Sequence, residues 1–288
     1  MLAMHETKVH GKLSFPYALY GVIHSERLCG FPLHWHDEME IIYVTDGVMS
    51  VTVQNDDYIL SEGDMVLVQP QVFHSINQND DYKAEYYNIL FRFSLLESGK
   101  RDLCLNKYLE PIYSQKLLVP SYIGKGSQLY QNLIPYVRQL IVLNGDQNGN
   151  ELLIKSCIFG IMHHICMNCT PANNDEQHII ILNRKLRKSI EFIQNNYSEN
   201  ITVEQAANIS NFSASHFSKM FRQLTGTSLT QYLKNYRLEL ASEKLNDEER
   251  KISEIAFECG FNNLSYFTRA FYEKYHVTPS EYRRINEQ

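Results

Sequence analysis

One sequence pattern occurs twice in the C-terminal part of this 288-residue chain, and it constrains the fold more than any other feature. The two copies start 49 residues apart, at residues 203–212 (VEQAANISNF) and 252–261 (ISEIAFECGF). Each copy has an alanine where two helices can cross closely. Four residues later comes Asn211 or Gly260, the residue types that tolerate a positive φ in a tight turn. The repeat therefore predicts two helix-turn-helix units.

The helix predicted after each turn has a polar, basic face. Residues 215–221 (SHFSKMF) align with residues 265–271 (SYFTRAF) at an offset of 50. Two phenylalanines form the apolar side of each helix, and Lys219 or Arg269 lies away from it. Hydroxyl and basic groups on such a face suit the major groove of DNA. One helix pair would be a common amphipathic hairpin, but two matching copies indicate DNA binding.

The charge of the chain is divided unevenly between its two parts. Residues 1–177 contain 12 Lys and Arg against 20 Asp and Glu, whereas residues 178–288 contain 15 against 13. The overall net charge of -6 would argue against a nucleic-acid partner. Because charge per domain matters more than the sum, DNA stays a candidate partner of the C-terminal part only.

Residues 178–288 resemble the AraC/XylS-type DNA-binding domain over its whole length. The resemblance is carried by residues 217–226 (FSKMFRQLTG), 252–261, 266–271 (YFTRAF) and 278–283 (TPSEYR). It implies a bacterial transcription regulator whose two recognition helices enter successive major-groove segments on one face of the DNA. Asn211 departs from the glycine that is usual at the first turn. The candidate DNA contacts are Ser215, His216, Ser218, Lys219, Arg222, Asn263, Ser265, Tyr266 and Arg269.

The N-terminal part has the short, turn-separated segments of an all-β domain. Segments rich in Val, Ile and Tyr at residues 39–45, 48–53, 65–68 and 84–93 predict strands. The predicted turns between them are Asp46-Gly47, Asn55-Asp56 and Glu62-Gly63-Asp64. Several strands at this spacing are typical of a sandwich or barrel, which we place at residues 1–125.

Two groups of residues in this β segment resemble the pair of motifs found in cupins. They are His34-Trp35-His36 with Glu40 and Gly47, and Gly63-Asp64 with Pro70 and His74. In metal-bearing cupins the matching positions, His34, His36, Glu40 and His74, bind one divalent metal ion. The resemblance therefore implies a candidate iron, manganese, zinc or nickel site.

We nevertheless expect no cofactor: the preferred interpretation is a pocket without metal, in which the same four side chains bind a polar effector, and the metal ion is the alternative. His34, His36 and Glu40 are separated by even numbers of residues. On one regular strand all three would point to the same side, which we expect to be the inside of the barrel.

A helical hairpin is predicted between the barrel and the DNA-binding domain. Apolar residues recur at helical spacing within residues 129–141 and 153–165. We expect residues 126–170 to form an isologous dimer, because these apolar stripes exceed what one barrel needs to cover itself. The alternative is a hairpin buried entirely against its own barrel. Residues 171–177 are polar and aperiodic, which predicts a linker before residues 178–288.

The sequence predicts a multidomain fold: an N-terminal all-β cupin-like barrel with a helical hairpin, then a C-terminal all-α double helix-turn-helix domain. No apolar segment approaches the ~18 residues that span a bilayer. Residues 1–13 lack the apolar core of a secretory signal, so we expect a cytoplasmic protein.

The predicted function is a homodimeric, ligand-responsive transcription regulator without enzyme activity. The family resemblance points to a sugar or a similar small polar metabolite as effector. The expected partners are promoter or operator DNA and that effector, with RNA polymerase as a further candidate. The alternative function is a metal-dependent cupin enzyme fused to a DNA-binding domain.

Overall fold

The computed structural model of the chain describes residues 4–6, 8, 10–23, 30–77, 84–99, 102–143, 149–247 and 249–286. The chain divides into two compact units: one is Met4–Ile180, and the other contains Ile181–Gln288. The first combines strands with a helical hairpin, whereas the second is helical. The predicted fold class is confirmed. Within the described ranges, no helix is long and apolar enough to cross a membrane.

The first unit is built around one long strand that two halves of a sheet share. The strands are β1 (Met4–His5), β2 (Tyr17–Ile23), β3 (His34–Trp35), β4 (Met39–Val53), β5 (Asp56–Ser61), β6 (Met65–Val68), β7 (His74–Asn77), β8 (Ala84–Phe91), β9 (Leu117–Leu118), β10 (Tyr122–Ile123) and β11 (Thr170–Pro171). The long strand is β4. Its second half pairs with β5 and β7, and β7 leads through β3 to β1. Its first half pairs with β6 and β8, which lead to β10 and β2.

Strand β4 runs through a site where we predicted a turn. Asp46-Gly47 lies inside the strand, so the division into strands at 39–45 and 48–53 was wrong. The pairing with β8 shifts register between Val44 and Asp46. Such a bulge absorbs an extra residue and bends the strand without ending it. Because β4 changes its partners here, the bulge lets one strand serve both halves of the sheet.

Alternate residues of β4 belong to two different cores. Ile42 and Val44 are fully buried with Val51 and Val66 between the two halves of the sheet. Ile41, on the opposite side, is fully buried under the helical hairpin. Period-two alternation therefore places apolar residues on both faces of this strand.

The helical hairpin consists of α2 (Gln128–Leu143) and α3 (Glu151–Met167), as predicted. A 3-10 turn (Phe93–Leu95), a π-helical turn (Leu105–Leu109) and α1 (Glu110–Tyr113) precede it.

The apolar stripes of the hairpin lie against the chain's own sheet. Leu133 and Ile161 are completely buried in one core with Ile41, Leu67 and Ile89. These stripes therefore cover the outer face of the barrel and are not free to contact a second copy, while dimerisation through residues 126–170 stays a prediction. The stripes are buried there because the outer face of the sheet is as apolar as its inner face.

Within the described residues the second unit contains six complete helices and most of a seventh, which begins in the first unit. The segment predicted as a linker, 171–177, is helical from Asn174 onward. The helices are α4 (Asn174–Asn195), α5 (Val203–Ile209), α6 (Ala214–Thr225), α7 (Leu229–Lys244), α8 (Ile252–Glu258), α9 (Leu264–Tyr275) and α10 (Pro279–Asn286). Helices α5–α6 and α8–α9 are the two predicted helix-turn-helix units.

The two helix-turn-helix segments have the same backbone hydrogen bond in their turns. In the first turn the N–H of Phe212 donates to the carbonyl of Ala207 at 3.0 Å, and in the second Phe261 donates to Ala256 at 2.9 Å. The turn residues have the predicted positive φ, 53° at Asn211 and 82° at Gly260. Asparagine thus serves in the first turn as glycine does in the second, so the departure from glycine leaves the geometry of the first turn intact.

The turn at Gly260 tolerates no side chain. A Cβ there would lie 2.7 Å from the Ser198 carbonyl oxygen and 2.9 Å from the Arg237 guanidinium. We expect Gly260→Ala to lower the free energy of unfolding by about 1–3 kcal/mol, because it combines an unfavourable φ with a backbone clash. Gly226→Ala is the matched control, since Gly226 has φ 71° but nothing within 4 Å of its Cβ position. Equal losses for both variants in chemical denaturation would contradict the clash.

Candidate functional site

The four residues of the predicted effector or metal site meet inside the barrel. His34 lies on β3, Glu40 on β4 and His74 on β7, while His36 lies in the turn between β3 and β4. One ligand atom from each lies within 4.8 Å of the others. The even spacing predicted that His34, His36 and Glu40 share one regular strand, and this was wrong. Strand β3 ends after two residues, and the chain turns before β4 begins.

Each of the three histidines is held through Nδ1 by a backbone carbonyl oxygen. A carbonyl only accepts hydrogen bonds, so each Nδ1 carries the hydrogen. Each ring in its neutral form therefore presents the lone pair of Nε2. The Nδ1–oxygen distances are 2.8 Å for His34 and Pro32, 3.2 Å for His36 and Glu38, and 2.9 Å for His74 and Val72.

Glu40 is the buried anion of this cluster. Its Oε2 lies 3.2 Å from His36 Nε2 and 2.8 Å from His74 Nε2. Burial opposes ionisation of Glu40, but the two neighbouring histidines outweigh it and hold the pKa of this carboxyl well below its usual range. The group is therefore a carboxylate at neutral pH.

The histidines differ in their affinity for a proton. Burial lowers the pKa of His34 to about 3, so this ring is neutral. Burial also disfavours the charged form of His36, but the hydrogen bond to Glu40 and the nearby carboxylate charges together outweigh it and raise the pKa of His36. Either a proton on His36 or a bound cation can balance the charge of Glu40.

Sequence reasoning missed the other residues that line this pocket of about 270 Å³. Among them are Glu6, His10, Tyr20 and Asn88. Glu6 Oε2 lies 3.7 Å from His34 Nε2, and His10 Nδ1 lies 3.2 Å from the Tyr20 hydroxyl. The Asn88 Oδ1 atom is buried without a hydrogen-bond partner among the described residues. The pocket therefore offers an unused acceptor to a polar ligand.

One of these residues had a signal in the sequence. Asn88 interrupts the apolar residues of β8, and a polar side chain there needs a partner. No sequence pattern predicted that Glu6 and His10 line the pocket. Their position depends on the parallel pairing of β1 with β3, which lies far along the chain.

All nine candidate DNA contacts are exposed on the second unit. The buried side of these two helices is formed by phenylalanines, Phe217 and Phe221 on α6 and Phe267 and Phe271 on α9. On α6 the exposed candidates are Ser215, His216, Ser218, Lys219 and Arg222; on α9 they are Ser265, Tyr266 and Arg269, with Asn263 just before its first turn.

Four of these candidates also have structural contacts. Asn263 caps α9, since its Oδ1 accepts from the N–H of Tyr266 at 2.8 Å. The Arg269 guanidinium lies 5.7 Å from the centre of the Tyr266 ring. On α6 the His216 ring packs on Phe212, with ring centres 4.7 Å apart. These contacts hold the exposed side chains at the N-terminal ends of the two recognition helices.

A sensor barrel and a duplicated helix-turn-helix domain on one chain define a ligand-responsive, DNA-binding transcription regulator. The family model described as AraC-like ligand binding domain matches residues 16–160, and the helix-turn-helix domain model matches residues 206–285. The chain belongs to the AraC family of transcription regulators.

Three relatives with known names are similar along most of this chain. The HTH-type transcriptional regulator YdeC of Bacillus subtilis (strain 168) is 22% identical over 98% of this chain and 97% of its own length. The lactose operon transcription activator of Staphylococcus xylosus is 26% identical over 83% of this chain and 81% of its own. The transcriptional activator RhaS of Yersinia pestis (strain Pestoides F) is 25% identical over 88% and 89%. The relatives are regulators, and the chain is a regulator rather than an enzyme.

Proposed function

We propose that α6 and α9 read DNA through the nine exposed candidates and that the barrel controls this binding. In this scheme residues 1–125 sense the effector, residues 126–170 dimerise and residues 178–288 bind promoter or operator DNA in the cytoplasm. The observation that carries the proposal is the repeated helix-turn-helix, with the same backbone hydrogen bond and a positive φ in both turns, followed each time by a helix with a polar exposed face. Lys219 and Arg269 occupy equivalent places on these faces and suit guanine edges or phosphates.

The effector is inferred to be a sugar or a similar small polar metabolite. Polar groups from Glu6, His10, Tyr20 and Asn88 surround the histidine cluster, and hydroxyl groups can pair with all of them. The name of the Staphylococcus xylosus relative, a lactose operon activator, supports the same class. A panel of sugars and organic acids in a thermal-shift assay on the full chain tests this, since a ligand of the folded state raises its stability. Stabilisation by organic acids alone would contradict a sugar effector.

The histidine cluster also fits a divalent metal ion. The donors are three imidazole Nε2 atoms and one carboxylate, a set that suits iron, manganese, zinc or nickel. His74 Nε2 is buried, and among the described residues it has no hydrogen-bond partner although Glu40 lies close. The carbonyl contacts at each Nδ1 would orient the rings as metal ligands. A metal bound by His34, His36, Glu40 and His74 would supply a Lewis-acid contact for an effector oxygen.

We propose a dimer through the outward face of α3 rather than through its buried stripes. Leu152, Phe159 and Met167 are 84%, 46% and 58% exposed on this helix. Their spacing of seven and eight residues places them along one side of the helix. A second copy of the chain, related by a two-fold axis, would cover this side and bring two DNA-binding domains to paired sites.

Phe159→Glu is expected to convert the dimer into a folded monomer, because it places a charge in the centre of the proposed interface. Sedimentation at micromolar concentration measures the mass. Leu103→Glu, at an apolar residue that is 72% exposed outside the hairpin, should leave the dimer intact. A wild-type monomer under these conditions would rule out the interface.

We also propose RNA polymerase as a partner of the DNA-bound protein, since two of the relatives are named as activators. Transcription from a cognate promoter in a purified system tests this step. Repression by the bound protein would contradict it.

A further inference from the structure

A second cavity, of about 780 Å³, lies in the first unit apart from the histidine cluster. Its walls come from the end of β8, the 3-10 turn, the π-helical turn and α1. None of the four cluster residues lines it. The volume is in the range of pockets that bind small molecules. π-Helical turns such as Leu105–Leu109 are rare and occur often at functional sites.

The charges around this cavity have both signs. Asp37, Glu97 and Glu110 face it together with Arg92 and Lys116. A strongly anionic ligand would be repelled by the three carboxylates, and a strongly cationic ligand would be repelled by the two basic groups. Neutral hydroxyl groups avoid both conflicts, because they donate to carboxylates and accept from Arg and Lys.

An aromatic wall adds a second element of recognition. Tyr113 lines the cavity and is 39% exposed, and its ring centre lies 6.4 Å from that of the buried Phe93. An exposed ring can cover the apolar C–H face of a sugar, while neighbouring polar groups bind its hydroxyls. Asn106 lines the same cavity and offers an amide. From these features together we propose that the cavity is a second ligand site, for a neutral saccharide.

Hydrogen bonds and ion pairs connect this cavity to the histidine cluster. Arg92 Nε lies 2.7 Å from Glu38 Oε1, and the other oxygen of Glu38 lies 3.6 Å from His36 Nδ1. Glu38 is almost completely buried, so Arg92 is its charge partner. A ligand that moves Arg92 would therefore disturb the group beside His36.

Gln71 provides a second connection. It has an unfavourable φ of 63°, and its N–H donates to the His36 carbonyl at 2.7 Å. Its side-chain amide donates to the Tyr113 hydroxyl at 2.8 Å and to Asp37 Oδ1 at 3.3 Å. The strained residue thus joins the cavity wall to the turn that holds His36. A saccharide in the cavity would thereby influence the effector site. The binding site itself does not depend on the proposed effector of the histidine pocket.

Calorimetric titration of the full-length protein with lactose, maltose and glucose tests this site. We expect at least one of them to bind, and Tyr113→Ala and Asn106→Ala to raise its Kd about tenfold or more. Tyr113→Phe keeps the ring and should change the Kd much less. Tyr122→Ala, at another exposed tyrosine outside the cavity, should leave it unchanged, whereas Asn88→Ala, in the histidine pocket, reports any binding of the same sugar there.

Two results would overturn the second site. In the first, Asn88→Ala abolishes binding while Tyr113→Ala and Asn106→Ala do not, which places the sugar in the histidine pocket and leaves the proposed effector class intact. In the second, none of the three sugars binds at millimolar concentration.

Discussion

Replacing Glu40 with alanine is expected to abolish the effector response of this regulator while leaving its DNA affinity unchanged. Glu40 is the buried carboxylate that His36 and His74 contact at 3.2 and 2.8 Å, so its loss removes the centre of the cluster. A metal ion held by this cluster would lose its only anionic ligand. A reporter assay measures the response, elemental analysis of the purified protein measures bound metal, and a titration with operator DNA measures affinity.

The control for this variant is Glu62→Ala, which removes an exposed carboxylate of the same unit that pairs with Lys125. It should respond as the wild type does. If Glu40 serves only in a buried ion pair with a protonated histidine, Glu40→Ala lowers the melting temperature of the metal-free protein. The free energy of unfolding then falls by up to about 3–5 kcal/mol. A stable and fully responsive Glu40→Ala protein would contradict both roles.

Arg269→Ala is expected to weaken binding to a cognate DNA site by about 1–3 kcal/mol, which is roughly fivefold to more than a hundredfold. Arg269 is exposed on α9 beside Tyr266, and it can contact a guanine edge or a phosphate. A titration of the full chain with the cognate site measures the change. Repeating it at several salt concentrations distinguishes the two contacts, because loss of a phosphate contact reduces the salt dependence by about one unit of slope.

Arg284→Ala serves as the matched control, since Arg284 is an exposed arginine on α10 and belongs to neither proposed recognition helix. It should bind nearly as the wild type does. Unchanged affinity of the Arg269→Ala protein would show that α9 is not a recognition helix.

The C-terminal domain could be predicted from the sequence because its determinants are local. Ala207 and Ala256 allow the close helix crossings, and Asn211 and Gly260 take the positive φ of the turns. Each of these requirements lies within about ten residues of chain, and the second copy confirms the first.

The barrel was harder to predict because its determinants lie far apart in sequence. A turn signal at Asp46-Gly47 became a bulge, since pairing with β8 on one side and β5 on the other extends the strand through it. The four cluster residues were found, but the strand geometry used to bring them together was wrong. Their convergence depends on β7 placing His74 next to His34, a contact between residues 40 positions apart.

The burial of the hairpin could not be predicted from its own pattern. An apolar stripe such as Leu133 to Leu140 shows that a helix face is covered, but not which surface covers it. The outer face of the barrel sheet, with Ile41 and Ile89, decides this. The structure is needed to tell the exposed apolar residues of α3 from the buried ones.

Selection of binding sites from a random DNA pool by the full-length protein tests the central claim most directly. Two recognition helices that enter successive major-groove segments predict two short conserved sequences about 10–10.5 base pairs apart for each protomer. The Lys219→Ala variant should lose selectivity in one of them and the Arg269→Ala variant in the other. Recovery of a single conserved segment, or of sequences with no shared element, would contradict a double helix-turn-helix regulator.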